Sequence, residues 1–306
     1  MHYSLKDVTA FLQQAAKDGA SEIHFKAPNR PRFRQDGVLV PIEAAALTPA
    51  QTHQIAQVLC TMAGIEIALG TVQDHEFGLG LAGIGRFRVQ LYRQRGSIGI
   101  VLHRMSLQVL EMSALGVPSS FEAVIDHPGL TLIGGGVKRT ALMAALVQRF
   151  NARLRGHVVV LENPLTVLHR DAMGSIAQRD VGVDVESFSA GVYAAVRQQA
   201  DLIAVGDVPD TATVEAVITA AENGIGVVAC VPSVGVDDIV DHFLKHLHPD
   251  YRPGMERRIE RVLRGAAYVP DDGQVRTELL FVTAPGAEAQ VVLPRAAALA
   301  KLKAST

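Results

Sequence analysis

Three consecutive glycines separate an apolar run from a run of helix-forming residues near the middle of the chain. The stretch LTLIGGGVKRTALMAALVQRF covers residues 130–150. A glycine-rich turn between a strand and a helix can hold phosphate oxygens with its backbone N–H groups, while a lysine reaches the outer phosphates. The motif G-x-x-x-x-G-K-[ST] places six steps between the first glycine and the lysine. Here Gly134 and Lys138 are four steps apart, and Arg139 stands where a hydroxyl residue would bind Mg²⁺.

Length and composition are typical of a soluble globular protein with two domains. The chain has 306 residues, a net charge of −2, 48 % hydrophobic residues and 20 % charged residues. No run approaches the roughly 18 apolar residues of a membrane span, and the first 20 residues resemble an amphipathic helix more than a signal peptide. Cys60 and Cys230 are isolated, which favours a reducing cytoplasm. The near-neutral charge argues against a dedicated nucleic-acid binder.

The first hundred residues show the pattern of a small α+β domain. Helical spacing over residues 5–17 is followed by short strands, with Asp36-Gly37 as a hairpin turn. Thr48-Pro49 opens a second predicted helix that runs to about Met62. The segments HEFGLGL, GRFRVQLYRQ and IGIVLHRM then alternate as antiparallel strands separated by glycine turns.

The second half changes to short, nearly continuous apolar strands with helices between most of them. These strands are LTLI, VVVLE, IAQRDV, DLIAVGD and GVVACV, and their pattern predicts a buried, mostly parallel sheet in an α/β domain. A closing hairpin is predicted at Asp272-Gly273. The alanine-rich end of the chain is expected to form a tail with a short helix.

Five segments of the chain together resemble one family. They are GASEIHF (19–25), GRFRVQLYRQRG (85–96), VVVLENPLTVLH (158–169), IAQRDVG (176–182) and ADLIAVGDVPDTATVEAVITAAENG (200–224). In order and spacing they resemble the type II/type IV secretion ATPase superfamily, most of all the PilT-like pilus retraction ATPases of twitching motility. The resemblance covers about residues 3–282. It implies a PAS-like domain at 1–108, a linker at 109–117, a RecA-like, P-loop NTPase-type domain at 118–290 and a tail at 291–306.

The resemblance also gives roles to the residues of the glycine turn. The degenerate Walker A residues are Gly134, Gly135, Gly136, Lys138, Arg139 and Thr140. Thr140 matches the family's second hydroxyl, which is not the principal metal ligand. Two missing residues remove up to about 7 Å of reach, so the remaining backbone is too short to wrap a β-phosphate in the usual way. Two interpretations stay open: a modest anion site, or a glycine turn followed by a solvated, basic first turn of helix.

Two carboxylates match the family's catalytic segments. Glu162 matches the glutamate that polarises water, although a glutamate at a strand end also serves structurally by capping the next turn at Pro164. Asp207 matches the Walker B glutamate but is one methylene shorter, and Asp210 is retained three residues later. Both catalytic residues are therefore expected to be vestigial. The segment ACVPSVG (229–235) stands where the family has a histidine segment, and it contains no histidine.

Arginines of the first half match positions that reach the nucleotide in the family's ring. Arg86, Arg88 and Arg104 fit these positions, with Arg93 and Arg95 nearby. Alternate residues of a strand share a face, so Arg86 and Arg88 are expected to project together. The alternative is that the arginines pair with carboxylates across a subunit interface.

A metal site is not expected. His242, His246 and His248 include a pair at i, i+4, which can chelate a metal, but a solvated helix end with favourably placed cations explains them as well.

The sequence thus predicts a degenerate paralogue of a pilus retraction ATPase that does not hydrolyse ATP. It would be a structural or regulatory component of a type IV pilus or type II secretion machine. Its expected partners are related secretion ATPase subunits, in a homo- or hetero-oligomeric ring such as a hexamer, and the pilus inner-membrane platform, with no nucleic acid. ATP and Mg²⁺ are not assigned as cofactors. The alternatives are a weak but genuine ATPase that drives retraction and twitching, and a nucleotide sensor without turnover. The expected location is the cytoplasm, at the periphery of the inner membrane.

Overall fold

The computed structural model of the chain describes residues 3–105, 108–136, 138–236, 238–270 and 278–281, with the backbone alone at 119–120 and 278–281. The chain divides into two compact units, Met1–Ser106 and Leu107–Thr306. In neither unit do the described residues form a helix long and apolar enough to cross a membrane.

The first domain is an antiparallel sheet with two helices. Its elements are α1 (Leu5–Lys17), β1 (Glu22–Phe25), β2 (Arg32–Gln35), β3 (Val38–Pro41), α2 (Pro49–Ala63), β4 (Asp74–Leu81), β5 (Gly85–Gln94) and β6 (Ser97–Arg104). The strand order is β3-β2-β1-β6-β5-β4, with every neighbouring pair antiparallel. The predicted α+β domain is confirmed.

Local sequence signals set the ends of these elements. The Ser4 hydroxyl accepts from the Asp7 N–H and begins α1, and Thr48 caps α2 in the same way, with Pro49 in its first turn. Asp36 and Gly37 both have positive φ, at 48° and 81°, which matches the predicted two-residue hairpin between β2 and β3.

The second domain is built on a seven-stranded sheet. Its strands are β7 (Gly129–Gly135), β8 (His157–Glu162), β9 (Ser175–Asp180), β10 (Leu202–Val205), β11 (Gly226–Val231), β12 (Leu263–Val269) and β13 (Glu278–Phe281). Its helices are α3 (Lys138–Arg153), α4 (Phe188–Arg197), α5 (Thr211–Glu222), α6 (Ile239–Leu244) and α7 (Arg252–Val262), and two short 3₁₀ turns, Met112–Leu115 and Ser119–Ile125, precede β7.

This sheet confirms the predicted α/β architecture. The order is β13-β12-β7-β11-β10-β8-β9, and all pairs are parallel except β12 with β13. The central strands are buried along their length, as expected for a parallel sheet covered on both faces. The two strands of the predicted closing hairpin pair antiparallel as β12 and β13, while the predicted turn at Asp272-Gly273 lies outside the described residues. Met112, Leu115 and Val117 belong to the predicted linker at 109–117, and they pack in this domain's core.

The parallel strands bring several predicted site residues to one edge. β7, β8, β10 and β11 run in the same direction, so their carboxyl ends lie along a single edge of the sheet. Residues at or just after those ends include Gly135, Glu162, Asp207 and Ser233. In open α/β sheets this edge is the usual place for ligands.

Candidate functional site

The connection between β7 and α3 is short. β7 continues through Gly135 and α3 begins at Lys138, so only residues 136 and 137 lie between strand and helix. Gly134 is paired on both sides, with Val231 of β11 and with Tyr268 of β12. Two of the three glycines of the expected turn, Gly134 and Gly135, therefore belong to the buried central strand.

Close packing explains why these strand positions are glycine. Gly135 has φ +131°, and a Cβ added there would lie 2.2 Å from the Val269 carbonyl oxygen. A Cβ at Gly134 would lie 2.1 Å from Ser233 Oγ and 2.6 Å from Ile239 Cγ1. Contacts this close leave no room for a side chain, so both glycines are needed where neighbouring chain segments approach the strand end.

Arg139 turns back onto the same connection. Its Nη1 donates to the Gly136 carbonyl oxygen at 2.7 Å and to the Gly135 carbonyl oxygen at 3.3 Å. A phosphate-binding turn presents N–H donors to an anion, whereas here two carbonyl oxygens face a guanidinium. Lys138 and Thr140 lie half-buried beside Arg139 in the first turn of α3. The groups around this turn therefore do not fit the triphosphate of ATP.

Glu162 lies at the end of β8 with 4 % of its surface exposed. Its carboxylate accepts from the Thr166 hydroxyl at 2.7 Å and from the Thr166 N–H at 3.2 Å. Burial raises the pKa of this carboxyl to about 7, with a smaller contribution from the charge of Asp180, while the bonds from Thr166 act in the opposite direction. The side chain thus holds the turn that follows its own strand, as expected for a glutamate with a structural role.

Asp207 follows β10 and is half-buried. It forms no hydrogen bond or ion pair in the part of the chain that the structure describes. Its charge nevertheless affects the pKa of Cys230 on β11. Burial raises the pKa of that thiol, Arg139 lowers it, and the charges of Glu162 and Asp207 raise it further. The predicted carboxylates and Arg139 therefore gather around one buried strand end.

The retained Asp210 has a structural role in this fold. Its Oδ1 accepts from the Thr213 N–H and from the Thr213 hydroxyl, each at 2.7 Å, and so caps the first turn of α5. The carboxylate is consequently committed to the start of a helix.

The segment that replaces the family's histidine packs against the glycine turn. Ser233 lies against Gly134, and its hydroxyl is buried without a hydrogen-bond partner among the described residues. The loop is held by Asp238, whose carboxylate accepts from the N–H groups of Val234 and Gly235. Sequence reasoning identified Ser233 as a replacement but missed this contact, because no local pattern signals the approach of two distant segments.

The arginines of the first domain do not share one face. Phe87 is fully buried between Arg86 and Arg88, so these two arginines project together from the opposite side, as predicted. Arg88 forms an ion pair with Glu76 of the same sheet, and Arg86 is exposed beside Gly78. Arg104 is the direct cross-strand partner of Phe87, which places it on the other face at the end of the sheet.

Arg93 is engaged by backbone of its own domain. Its guanidinium donates to the carbonyl oxygens of Leu69, Gly70 and Val72 at 2.7–2.9 Å. It therefore fixes the loop before β4. Arg95 occupies the tight turn between β5 and β6 with φ 45°.

The histidines near α6 do not all lie on that helix. α6 ends at Leu244, so His246 lies beyond the helix that was expected to carry it together with His242. His242 contacts the Asp238 carboxylate at 3.1 Å, and His248 contacts Asp250 at 3.4 Å. Within the described ranges, no group of three His, Cys, Asp or Glu side chains is placed to hold a metal ion.

Comparison with known proteins agrees with this fold. Residues 3–233 match the family of type II/IV secretion system proteins. The type IV pilus retraction ATPase PilT of Pseudomonas aeruginosa is 31 % identical over 224 residues, which cover 71 % of this chain and 64 % of that protein. The type IV pilus ATPase PilU of the same organism is 26 % identical over 251 residues, covering 79 % of this chain and 64 % of PilU. The match thus spans somewhat less than two thirds of each relative's length.

Solved structures give the same result. The crystal structure of the pilus retraction motor PilT with bound ADP superposes with a TM-score of 0.81 at 25 % identity, covering 96 % of this chain and 86 % of that one. The ATPase DotB of Legionella pneumophila superposes with a TM-score of 0.72 at 20 % identity, covering 92 % and 80 %, and at that identity it supports the fold alone.

Proposed function

This chain belongs to the type II/IV secretion system protein family, within which it is PilT-like, and on that premise we propose that it is a pilus-related member that does not hydrolyse ATP. In this proposal it is a structural or regulatory component that assembles with active ATPase subunits. Its motor-type fold then supplies shape and contacts.

The connection between β7 and α3 carries this proposal. Two residues join strand and helix, Gly135 is committed to the strand, and the guanidinium of Arg139 lies on the carbonyl oxygens of the turn. Phosphoryl transfer depends mainly on positioning and charge stabilisation, so a turn whose carbonyl oxygens hold a guanidinium would lose its main contribution.

The carboxylates support the same proposal. Both oxygens of Glu162 accept from Thr166, and burial favours the protonated form of this side chain near neutral pH. Asp207, which matches the Walker B glutamate, forms no ion pair in the described part of the chain. By itself it does not make a catalytic site. Losing one preorganised group typically costs about 2.7–4 kcal/mol of transition-state stabilisation, so two altered groups would reduce turnover by several orders of magnitude.

The proposed partners are related secretion ATPase subunits in a ring, together with inner-membrane platform proteins of a pilus machine. The similarity to PilT and PilU of Pseudomonas aeruginosa, which are type IV pilus ATPases, supports this class of partner. The exposed Arg86 is a candidate for contact with a neighbouring subunit. The proposed location is the cytoplasmic face of the inner membrane. Nucleic acid is not among the proposed partners, because a net charge of −2 is not typical of a nucleic-acid binder.

A two-arm experiment on the purified full chain tests the proposal. In the nucleotide arm, calorimetry with millimolar ATP and Mg²⁺ is expected to show no binding heat, and a phosphate-release assay is expected to match the buffer blank. Pseudomonas aeruginosa PilT serves as the positive control. Turnover by this chain that Glu162→Gln abolishes would contradict the proposal and favour a working motor.

The assembly arm uses native mass spectrometry. The chain mixed with Pseudomonas aeruginosa PilT is expected to give oligomers that contain both proteins. A mixture in which PilT forms its own oligomers while this chain stays separate contradicts the proposed ring partner, whatever the result of the nucleotide arm.

A further inference from the structure

Four charged or titratable side chains form one row across the sheet of the first domain. Glu22 on β1 lies directly opposite Arg34 on β2 and opposite His103 on β6, and His103 lies opposite Arg88 on β5. Side chains of directly opposite residues lie on the same face of a sheet. The row therefore crosses four neighbouring strands on one face.

This face of the sheet is its polar one. Ile23, Phe33 and Leu102, each next in sequence to a member of the row, are buried on the opposite face. The side chains of the row keep 20–45 % of their surface exposed. Protons from solvent can therefore reach the row while the sheet stays intact.

Glu22 connects the members of this row. Its Oε2 accepts from Nε of Arg34 at 2.8 Å and lies 2.6 Å from Nε2 of His24, while its Oε1 lies 3.7 Å from Nδ1 of His103. A single carboxylate thus faces one guanidinium and two imidazoles. These contacts are matched in charge as long as both histidines are neutral.

The rest of the face already carries an excess of positive charge. Arg88 forms an ion pair with Glu76 on β4. Arg32, which lies opposite His24, and Arg86 are exposed on the same face. Each histidine that takes up a proton therefore adds a charge of the sign that is in excess.

We propose that this face is a proton-responsive element of the first domain: protonation of His103 charges a row that is otherwise balanced, and it lowers the stability of the sheet around β1, β5 and β6. The proposal involves neither a nucleotide nor a partner subunit, so it is independent of the proposed function.

The surroundings of His103 determine the direction of the effect. Burial lowers the pKa of its imidazole below 6.5, Glu22 and Glu76 act in the opposite direction, and Arg88 and His24 lower the pKa further. A group whose pKa is lower in the folded than in the unfolded chain stabilises the fold above the unfolded value, and this contribution is lost as the pH falls through the folded value. Acidification below pH 6.5 should therefore destabilise the sheet.

Glu22 keeps its charge in the range from pH 8 to pH 5. Burial raises the pKa of its carboxyl, but the bonds from Arg34 and His24 outweigh burial and hold the pKa below 4.5. A loss of stability between pH 8 and pH 5 therefore arises from the histidines of this network and not from the carboxylate.

The titration of His103 is the first test. Deuterium exchange of the imidazole C2 hydrogen, followed by mass spectrometry across a pH series, measures the pKa of each histidine in the full chain. His103 is expected to titrate below 6.5, and lower still in Glu22→Gln, because that variant removes a charge that favours the protonated form. Arg88→Gln removes a repelling charge and should move the titration upwards.

His53 is the control for these titrations, since it is exposed on α2 and should not move in either variant. A wild-type His103 that titrates at 6.5 or above, or one that neither Glu22→Gln nor Arg88→Gln moves, would overturn the proposal.

Amide exchange of the β1, β5 and β6 peptides in the same samples measures the stability of the sheet. After correction for the intrinsic pH dependence of exchange, wild-type protection is expected to fall between pH 8 and pH 5 by about fivefold more than that of His103→Gln, whose side chain stays neutral. His53→Gln should follow the wild type.

A His103→Gln variant that loses the same protection at both pH values, or that follows the wild type throughout, would contradict the proposal and leave His103 with a structural role only. If His103→Gln does not fold, the imidazole titrations of the wild type and of the two charge variants decide the question by themselves.

Discussion

Two strand-to-helix connections at the same edge of the second domain's sheet begin their helices by different means. Between β10 and α5, residues 206–210 form the connection, and Asp210 caps the helix through Thr213. Between β7 and α3, two residues suffice, and Arg139 in the first turn of the helix bonds backwards to the glycine carbonyls. β7 and β10 both flank β11, so the two connections are close neighbours in one sheet.

The difference separates local from tertiary control. The cap of α5 involves residues three positions apart and can form wherever this short segment becomes helical. The β7–α3 connection depends on Val269 of β12 and on Ser233 and Ile239 after β11, all about a hundred residues or more away in the sequence. Substitutions at the two connections should therefore differ greatly in their effect on stability.

The largest effect is expected for Gly135→Ala. The added methyl group would meet the Val269 carbonyl oxygen, a backbone atom that cannot move aside, and φ +131° is unfavourable for alanine. Overpacking and backbone strain cost about 1–3 kcal/mol each, so we expect a loss of about 4 kcal/mol in the free energy of unfolding. Urea denaturation of the full chain measures it.

Gly254→Ala is the control for this substitution. Gly254 lies in α7 of the same domain, and an added Cβ there would meet nothing within 4 Å. It should be neutral or stabilise by up to about 1 kcal/mol, because alanine favours helix over glycine. Equal behaviour of the two variants would mean that the packing at Gly135 does not control the connection.

The sequence reveals the local half of this comparison. Asp210 followed three residues later by Thr213 is an ordinary helix start. Other local signals located α1 by its helical spacing, α2 by Thr48-Pro49 and the first hairpin by Asp36-Gly37. Apolar runs also identified the central parallel strands. The sequence could not provide the direction of the Arg139 side chain. A basic side chain in the first turn of a helix would ordinarily point into solvent. That direction depends on where β11 and β12 lie, which no window around residue 139 contains.

The same limit applies to the carboxylates. The match to a family motif marked Glu162, but its bonds to Thr166 and its burial depend on the fold of the loop that follows. The face of the sheet on which Arg104 lies could not be predicted either, because it is set by the register of β6 against β5. Residue type and spacing therefore indicated the candidate residues, whereas their side-chain partners required the three-dimensional structure.

Glu162→Gln extends the comparison to a third strand end. Burial raises the pKa of Glu162 from 4.5 to about 7, so its contribution to stability is present below pH 4.5 and is lost as the pH rises to about 7. The neutral glutamine avoids that loss. We expect Glu162→Gln to match the wild type near pH 4.5 and to be more stable by up to about 3 kcal/mol at pH 8.

Thermal unfolding across this pH range, as the difference between variant and wild type, gives the measurement. His169 has the opposite dependence, since burial lowers its pKa from 6.5 to about 4, but it is common to both proteins and cancels in the difference. Glu186→Gln, at an exposed position of the same domain, should leave the curve unchanged. A Glu162→Gln variant that is less stable than wild type at pH 8 would show that the charged carboxylate is the form the fold requires.

The smallest effect is expected at the local connection. Asp210→Ala removes the cap of α5 and leaves the buried Thr213 hydroxyl without its acceptor, which should lower the free energy of unfolding by about 1–2 kcal/mol. Asp210→Asn keeps an acceptor oxygen and should stay within about 0.5 kcal/mol of wild type. Urea denaturation under the conditions used for Gly135→Ala allows a direct comparison. If Asp210→Ala costs as much as Gly135→Ala, then the β10–α5 connection also depends on distant packing, and the contrast between a capped helix start and a packed one does not hold.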